Sequence, residues 1–287
     1  MNQDLSLENA IRRFIDRLKS LGRSNNTIVA YQGDLNQLAA FLKEQAVENV
    51  DQIKTELIES FKDHLGKNGY TPKSISRKLN SVKSIFRFLV EEEVLDRDFS
   101  RAVKHPKVNN DLPRVLKPME YRALRDICRQ DKRTLAIVEL MLQVGLRISE
   151  VANLRLDNIK EKELVIEAYE SHARRMVPLN QPASKAIEDY LRERQTSKSR
   201  YLFVTKTGRQ LLVRNIRSIL NRYFEKAGLQ GVKVNDLRNT FIVEQLSAGV
   251  PLDVISRIVG HKRLSTTERY LGLVSKSQEE VFTLKEL

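Results

Sequence analysis

The chain has 287 residues, a formal net charge of +13 at pH 7, 41% hydrophobic residues and a single cysteine, Cys128. This length suggests two domains, and the apolar content excludes a disordered chain. One cysteine excludes an internal disulfide and a cysteine-cluster metal site, and the four scattered histidines show no metal-ligand spacing. The most apolar stretch, Leu135–Val144, is too short to span a bilayer, and the N-terminus has no apolar signal core. We therefore expect a cytoplasmic protein with no membrane partner and no metal.

The positive charge is unevenly distributed. Residues 1–110 carry a formal charge of +3 and residues 111–287 carry +10, and the stretch Arg192–Arg238 holds 12 basic residues against 3 acidic ones. Lysine and arginine side chains on phosphates release condensed counterions, so a concentrated basic region is typical of a nucleic-acid face. A merely soluble basic surface is the alternative.

Residues 1–101 carry four amphipathic helical patterns. The apolar residues recur at helical spacing over 5–21, after the cap cluster Ser24–Asn26, over Val50–Gly66 and from Pro72 to Glu93. The fourth helix also carries basic side chains between its apolar positions, namely Lys73, Arg77, Lys78, Lys83 and Arg87. We predict a compact helical domain with one DNA-binding helix face, with a solvated basic face as the alternative.

Residues 102–113 contain two prolines and no apolar periodicity, which predicts a linker before a second domain at 114–287. Helical patterns in that domain follow Lys117-Pro118 and cover about 132–144, 148–154, 213–227, 236–248, 251–259 and 265–273. Leu164–Ile166 and Arg175–Leu179 flank a polar loop and predict a hairpin, to which Tyr201–Val204 adds a short third strand. The predicted fold class is mainly α with a small antiparallel sheet in the second domain.

Two segments place arginines where an anion can bind. Gly145 interrupts a helical pattern and leaves Arg147 at the start of the next helix, where backbone N–H groups and the helix dipole favour negative charge. Glu150, one turn later, is placed to orient that guanidinium. Asn235 and Arg238 share one helix face at i, i+3 spacing. A salt-bridged surface arginine and a capping asparagine are the structural alternatives.

Two further segments bring a histidine and a tyrosine into the same domain. His261 follows Gly260 at the end of a predicted helix, and Tyr270 lies about a turn and a half into a helix that Ser265 caps. A C-terminal capping histidine and a core tyrosine are the ordinary roles of such residues. None of these segments is decisive when taken singly.

In order, the segments resemble the tyrosine recombinase, or phage integrase, family over essentially the whole chain. The family signature Arg…His-x-x-Arg…His/Trp…Tyr matches Arg147, Asn235, Arg238, His261 and Tyr270. The resemblance implies that the two arginines bind the scissile phosphate, His261 donates a hydrogen bond or helps to activate the nucleophile, and Tyr270 attacks. The product would be a 3′-phosphotyrosyl link that conserves the ester energy, so no cofactor is expected.

The resemblance also implies a two-domain clamp on double-stranded DNA, with four protomers holding two duplexes. The basic helix of the first domain and the basic region 192–238, including Arg214 and Arg217, would contact the DNA. The tail Gly272–Leu287 would dock onto the neighbouring protomer or fold back on its own domain.

Two positions depart from the family pattern. Asn235 stands where the family has a histidine, and an amide can donate a hydrogen bond to a phosphate but cannot move a proton near neutral pH. Glu170 stands at the position of the family's hairpin lysine, and Tyr169–Met176 contains no lysine. We expect Glu170 to point away from the phosphate and His172 to act as general acid, with Arg174 as a weaker candidate.

These departures leave two interpretations open, an active enzyme with a rearranged proton path or a degenerate homologue that binds DNA without cutting it. We favour activity because the other four signature residues are present. The short two-domain build is similar to Xer-like recombinases and transposon resolvases, and the two departures favour a mobile-element enzyme such as a cointegrate resolvase. The alternatives are an Xer-type chromosome-dimer recombinase, a DNA-binding regulator and a type IB-like topoisomerase.

Overall fold

The computed structural model describes residues 5–109, 111–169, 172–195 and 197–277. By its internal contacts the chain divides into two compact units, Met1–Asn110 and Asp111–Leu287. Each unit has an apolar core of its own. The predicted fold class is confirmed, because the described residues form helices and one small antiparallel sheet. None of the described helices is both long enough and apolar enough to cross a membrane.

The first unit is a bundle of four helices. They are α1 (Leu7–Ser20), α2 (Asn25–Lys43), α3 (Thr55–Lys67) and α4 (Pro72–Glu91). Ser6, Ser24 and Thr71 cap three of them by accepting a hydrogen bond from the backbone N–H three residues on. The third predicted helix differs from the structure, since a 3-10 turn at Val50–Gln52 precedes α3.

A buried carboxylate joins α2 to α4. Asp34 accepts hydrogen bonds from Arg77, from the Lys78 ammonium at 3.1 Å and from the Ser81 hydroxyl at 2.8 Å. The Lys78 side chain is only 9% exposed, so the prediction that Lys78 contacts DNA is corrected. An ammonium group in an apolar core requires a partner, and Asp34 supplies it.

Asp34→Ala should lower the free energy of unfolding by about 3–5 kcal/mol, because it leaves a buried ammonium without its counter-charge. Urea-induced unfolding followed by circular dichroism measures this loss. Asp16→Ala is the matched control, since it removes an exposed carboxylate paired with Lys19 and should cost less than about 1 kcal/mol. Equal losses in the two variants would contradict the buried-pair interpretation.

The second unit packs nine described helices around one hairpin. The helices are α5 (Pro118–Cys128), α6 (Lys132–Gln143), α7 (Ile148–Asn153), α8 (Gln181–Glu193), α9 (Val213–Lys226), α10 (Val234–Ser247), α11 (Leu252–Val259), α12 (Ser265–Glu268) and α13 (Leu271–Ser277). Strands β1 (Glu163–Ile166) and β2 (Arg175–Pro178) pair antiparallel, with Glu163 opposite Pro178 and Ile166 opposite Arg175. Helix α6 is almost wholly buried and packs against α8 and α10.

Three local expectations for this unit were wrong. Helix α8 was not predicted, although Asn180 caps it, Pro182 lies in its first turn and its buried residues Ala183, Ala186, Ile187 and Tyr190 share one helix face. Tyr201 and Val204 form isolated bridges and no third strand. The single helix predicted over 265–273 is broken into α12 and α13, and no side chain caps α12. Tyr270 therefore lies in the turn between two short helices.

Candidate active site

The first site element is the turn that begins α7. Gly145 has a φ of +69°, and a Cβ atom there would lie 2.3 Å from the Phe241 ring, so only glycine fits. Arg147 follows at the N-cap of α7, where its backbone N–H donates to the Glu150 carboxylate at 2.8 Å. Its guanidinium also donates to Glu150 at 2.8 Å. The position predicted for Arg147 at a helix start is thus the one that the structure has.

The Glu150 carboxylate lies at the centre of three guanidinium groups. The Arg175 guanidinium donates to it through two nitrogens at 2.8 and 2.9 Å, and the Arg147 guanidinium donates through one nitrogen. The nearest Arg238 nitrogen is 3.9 Å away. Burial by itself raises the pKa of Glu150, because it disfavours the charged form. The hydrogen bonds and charges of Arg175 and Arg147 outweigh the effect of burial and lower the pKa to about 2. Arg175 was not among the predicted site residues. It lies 25 positions from Glu150, and no local spacing links them.

The same three arginines also bind the C-terminal end of α11. The last carbonyl groups of a helix have no partner within it and carry the negative end of its dipole. Arg175 donates to the carbonyl of Ile258 at 2.7 Å, Arg238 to that of Val259 at 2.5 Å and Arg147 to that of Gly260 at 2.7 Å. Three successive carbonyls are thereby held by three arginines from different elements, and His261 follows them directly.

Arg238 is the most deeply buried of these cations, with 3% of its side chain exposed. It also donates to the carbonyl of Gly145 at 2.6 Å. Burial and the neighbouring charge of Arg147 lower the pKa of Arg238 to about 9. Three guanidiniums face one carboxylate, so this cluster carries unbalanced positive charge. A buried surplus of this kind favours an anionic ligand, and each guanidinium has five N–H groups with which to bind it.

His261 and Tyr270 lie beside this cluster. The Nδ1 atom of His261 is hydrogen-bonded with the Thr267 hydroxyl at 2.8 Å, and its ring lies 6.3 Å from the Tyr270 ring at an interplanar angle of 14°. Burial and the charges of Arg238 and Arg147 lower the pKa of His261 to about 4. Tyr270 is 9% exposed, and burial raises the pKa of its hydroxyl. At neutral pH both groups are therefore uncharged.

The two residues that concern the departures from the family pattern lie close by. Asn235 donates from Nδ2 to Oδ1 of Asn239 at 3.0 Å. The Nδ1 atom of His172 is buried and has no hydrogen-bond partner among the described residues. Burial and then the charge of Arg147 lower the pKa of His172, so its ring is within electrostatic reach of the cluster. Glu170, expected to point away, lies outside the described residues.

The predicted DNA-binding residues have unequal exposure. Five are exposed, namely Lys73, Arg77, Arg87, Arg214 and Arg217. Arg77 is exposed although it pairs with Asp34, and Lys83 donates to the carbonyls of Val103 at 2.7 Å and Arg101 at 3.4 Å. Arg217 and Asn235 line one open cavity of about 1020 Å³ between α9 and the start of α10. The described residues contain no cluster of three His, Cys, Asp or Glu side chains that could hold a metal ion.

The fold and site together define an enzyme domain that holds a tyrosine hydroxyl beside a cationic anion-binding cluster. Residues 114–276 match the phage integrase family, and residues 11–93 match the phage integrase N-terminal SAM-like domain. The chain belongs to the phage integrase family of tyrosine recombinases and is a DNA strand-exchanging enzyme.

Individual relatives agree with this assignment. Tyrosine recombinase XerC of Listeria monocytogenes serotype 4b is 30% identical over 285 residues, which cover 94% of this chain and 95% of that protein. The Tn1549 transposon integrase in complex with a circular intermediate DNA has a similar fold, with a TM-score of 0.77 and 15% identity over 91% of this chain and 94% of that one. The structure of a lambda integrase tetramer bound to a Holliday junction is also similar, with a TM-score of 0.76 and 15% identity. The match covers 91% of this chain and 78% of that one.

The low pKa of His261 makes stability depend on pH in a defined window. The unfolded histidine binds a proton below about 6.5 while the folded one does so only below about 4, so stability is lost as the pH falls between these values. His261→Gln should reduce that loss by up to about 3 kcal/mol. Urea unfolding at pH 7, 5.5 and 4.5 measures the difference. Parallel losses in the parent and the variant would contradict it. The lowered pKa of Glu150 makes stability depend on pH in a lower window, between the ordinary carboxyl pKa of 4.5 and its folded value of about 2.

Proposed function

We propose that this chain cleaves and rejoins double-stranded DNA at a specific site through a covalent 3′-phosphotyrosyl link to Tyr270. The observation that carries the proposal is the buried surplus of positive charge beside that tyrosine. Arg147, Arg175 and Arg238 face the single carboxylate of Glu150, and a phosphodiester would supply the missing negative charge. Pentavalent phosphorus gathers charge on its non-bridging oxygens, so the cluster stabilises the transition state more than the ground state.

The remaining signature residues have separate roles in this scheme. The free N–H groups of Arg147 and Arg238 bind the phosphate oxygens, and His261 donates a hydrogen bond to the phosphate or takes the tyrosine proton as a neutral imidazole. Asn235 donates a hydrogen bond and moves no proton. The exposed basic residues Lys73, Arg77, Arg87, Arg214 and Arg217, together with Lys83, contact the DNA backbone and fix its register.

For the biological context we propose a mobile-element enzyme that resolves or integrates its element, working in the cytoplasm as a tetramer on two duplexes. The missing hairpin lysine and the Asn235 substitution support this choice, and the lambda integrase tetramer on a Holliday junction supports the assembly. We propose residues 1–101 as the DNA-binding domain, 102–113 as the linker and 114–287 as the catalytic domain. The relatives named XerC support the alternative of a chromosome-dimer recombinase, and mapping the covalent adducts to element ends or to one chromosomal site distinguishes the two.

The nucleophile is tested with a duplex nicked beside the cleavage position, which traps the covalent adduct after the short fragment diffuses away. The parent protein should form a band that survives denaturing electrophoresis, and Tyr270→Phe should reduce it by at least 1000-fold because the attacking oxygen is gone. Retained sequence-specific binding without any parental adduct would favour the DNA-binding regulator. Relaxation of supercoiled DNA of arbitrary sequence would favour the topoisomerase.

We also propose His172 as the group that protonates the leaving 5′-oxygen in place of the family lysine. Its buried Nδ1 has no hydrogen-bond partner among the described residues. Burial and the positive charges of Arg147, Lys262 and Arg175 lower the pKa of its ring. A buried polar nitrogen without a partner is rare and calls for an explanation, and a hydrogen bond to bound substrate supplies one. The anionic phosphate would raise the low pKa of His172 and load it with the proton that it transfers.

His172→Ala should slow adduct formation on an ordinary phosphodiester by about 100-fold, the usual contribution of a general acid. A substrate with sulfur at the 5′-bridging position needs no such proton, because a thiolate leaves unaided, and it should restore most of the rate. Arg174→Ala is the matched control, since Arg174 lies in the same turn and is largely exposed. A parental rate in His172→Ala, or sulfur rescue of Arg174→Ala instead, would contradict the assignment.

A further inference from the structure

Asn239 contacts the tyrosine hydroxyl directly. It follows Arg238 on α10 and is 5% exposed. Its side-chain oxygen accepts hydrogen bonds from the Tyr270 hydroxyl at 2.9 Å and from Nδ2 of Asn235 at 3.0 Å. These two donors occupy both lone pairs of the amide oxygen. Neither the composition nor the family signature marks this residue, so only the fold reveals the contact.

The orientation of the Asn239 amide is fixed by its other side. Its Nδ2 donates to the backbone carbonyl of Arg114 and to the Asp236 carboxylate, both at 3.2 Å. A carbonyl group can only accept, so the nitrogen must face Arg114 and the oxygen must face Tyr270. The tyrosine hydroxyl is consequently the donor in its bond to Asn239. The amide cannot turn over without leaving two buried acceptors unpaired.

This arrangement keeps the hydroxyl in a state that cannot react. An amide oxygen accepts a hydrogen bond but does not take the proton near neutral pH. Attack on phosphorus requires that the proton leave and that the tyrosine oxygen reach the phosphate, yet Tyr270 is only 9% exposed. The hydroxyl must therefore move away from Asn239 before the new bond can form.

We propose that Asn239 is a positioning residue that holds Tyr270 in a resting, protonated state, and that release from Asn239 precedes DNA cleavage. This rests on the proposed role of Tyr270 as nucleophile. After release, the tyrosine oxygen bonds to phosphorus and the bond from phosphorus to the 5′-oxygen breaks. The hydroxyl proton passes to a base such as the neutral imidazole of His261, and the leaving oxygen takes a proton from the general acid.

Asn239→Ala and Asn239→Ser test the hold on the nucleophile, with the nicked duplex at saturating concentration and the rate of adduct formation as the readout. Serine keeps a polar group at this position but is too short to reach the tyrosine oxygen. Both variants should form the adduct about five-fold faster, because losing one net hydrogen bond raises the released population by that factor. Five-fold corresponds to about 1 kcal/mol.

Thr240→Val is the matched control. Thr240 is the next residue on α10, where its hydroxyl donates to the Asp236 carbonyl and accepts from the Leu116 backbone N–H, both without involving Tyr270. The variant loosens the same helix turn and should leave the rate of adduct formation within two-fold of the parent. An equal acceleration in Thr240→Val would assign the effect to general loosening and overturn the proposal.

A second measurement does not depend on turnover. Tyrosine labelled with ¹³C at Cζ reports the titration of Tyr270 by NMR, with Tyr270→Phe identifying its signal. The pKa of Tyr270 should fall in Asn239→Ser, because the neutral hydroxyl loses its acceptor. If Asn239→Ala fails to fold, the adduct rate and the Tyr270 titration of Asn239→Ser test the proposal. An unchanged pKa would overturn the proposal.

The outcomes separate the two proposals. An adduct that depends on Tyr270 but forms at the parental rate or more slowly in both Asn239 variants overturns the resting hold and leaves the proposed function intact. An adduct that persists in Tyr270→Phe overturns the proposed nucleophile. The absence of an adduct from the parent and from both Asn239 variants overturns both.

Discussion

The Glu150 carboxylate is the interaction on which the second unit depends. It pairs with Arg147 and Arg175 and lies near Arg238, and these arginines in turn bind the three carbonyls that end α11. Without the carboxylate, three guanidiniums would share one buried space with no counter-charge, an arrangement that costs several kcal/mol. One side chain thus joins the helix start, the hairpin and the turn that carries His261. Because the arginines are bonded to that turn, their guanidinium groups are fixed in position in the folded protein.

The cluster of Arg147, Arg175, Arg238 and Glu150 contains more positive than negative charge. Burial, and then the positive surplus of the cluster, lower the pKa of both Arg238 and His261, so the fold holds these groups where positive charge is unfavourable. The phosphodiester of the proposed reaction would supply the missing negative charge. The positive charge that lowers the stability of the free protein would therefore favour its complex with an anion. Anion binding and folding stability are thus coupled through this one group of residues.

Most of the fold could be predicted from the sequence because local signals specify it, whereas the candidate site residues were identified through the family resemblance and not through any local signal. Caps such as Ser24, the proline that starts α4 and the two β-rich stretches that flank the polar loop of the hairpin each act over a few residues. The contacts of Arg175 and Asn239 and the partner of Lys78 could not be predicted in this way, although the helical spacing places Lys78 on the apolar face of α4, between Ile75 and Val82. Their partners Glu150, Tyr270 and Asp34 lie 25 to 44 positions away, and amphipathic periodicity carries no information about such pairs. Helix α8 was missed although its cap, its first-turn proline and its one-sided apolar pattern are all local signals.

Gly145 has a consequence for how this protein can change over time. Its left-handed backbone and its contact with the Phe241 ring leave no room for a Cβ atom, while its carbonyl receives Arg238. Every amino-acid substitution at this position adds side-chain atoms, so we expect glycine to be retained here. The exposed face of α9 has no such constraint. The exposed surface of α9 can therefore vary in sequence while the packing of the turn before α7 against α10 stays fixed.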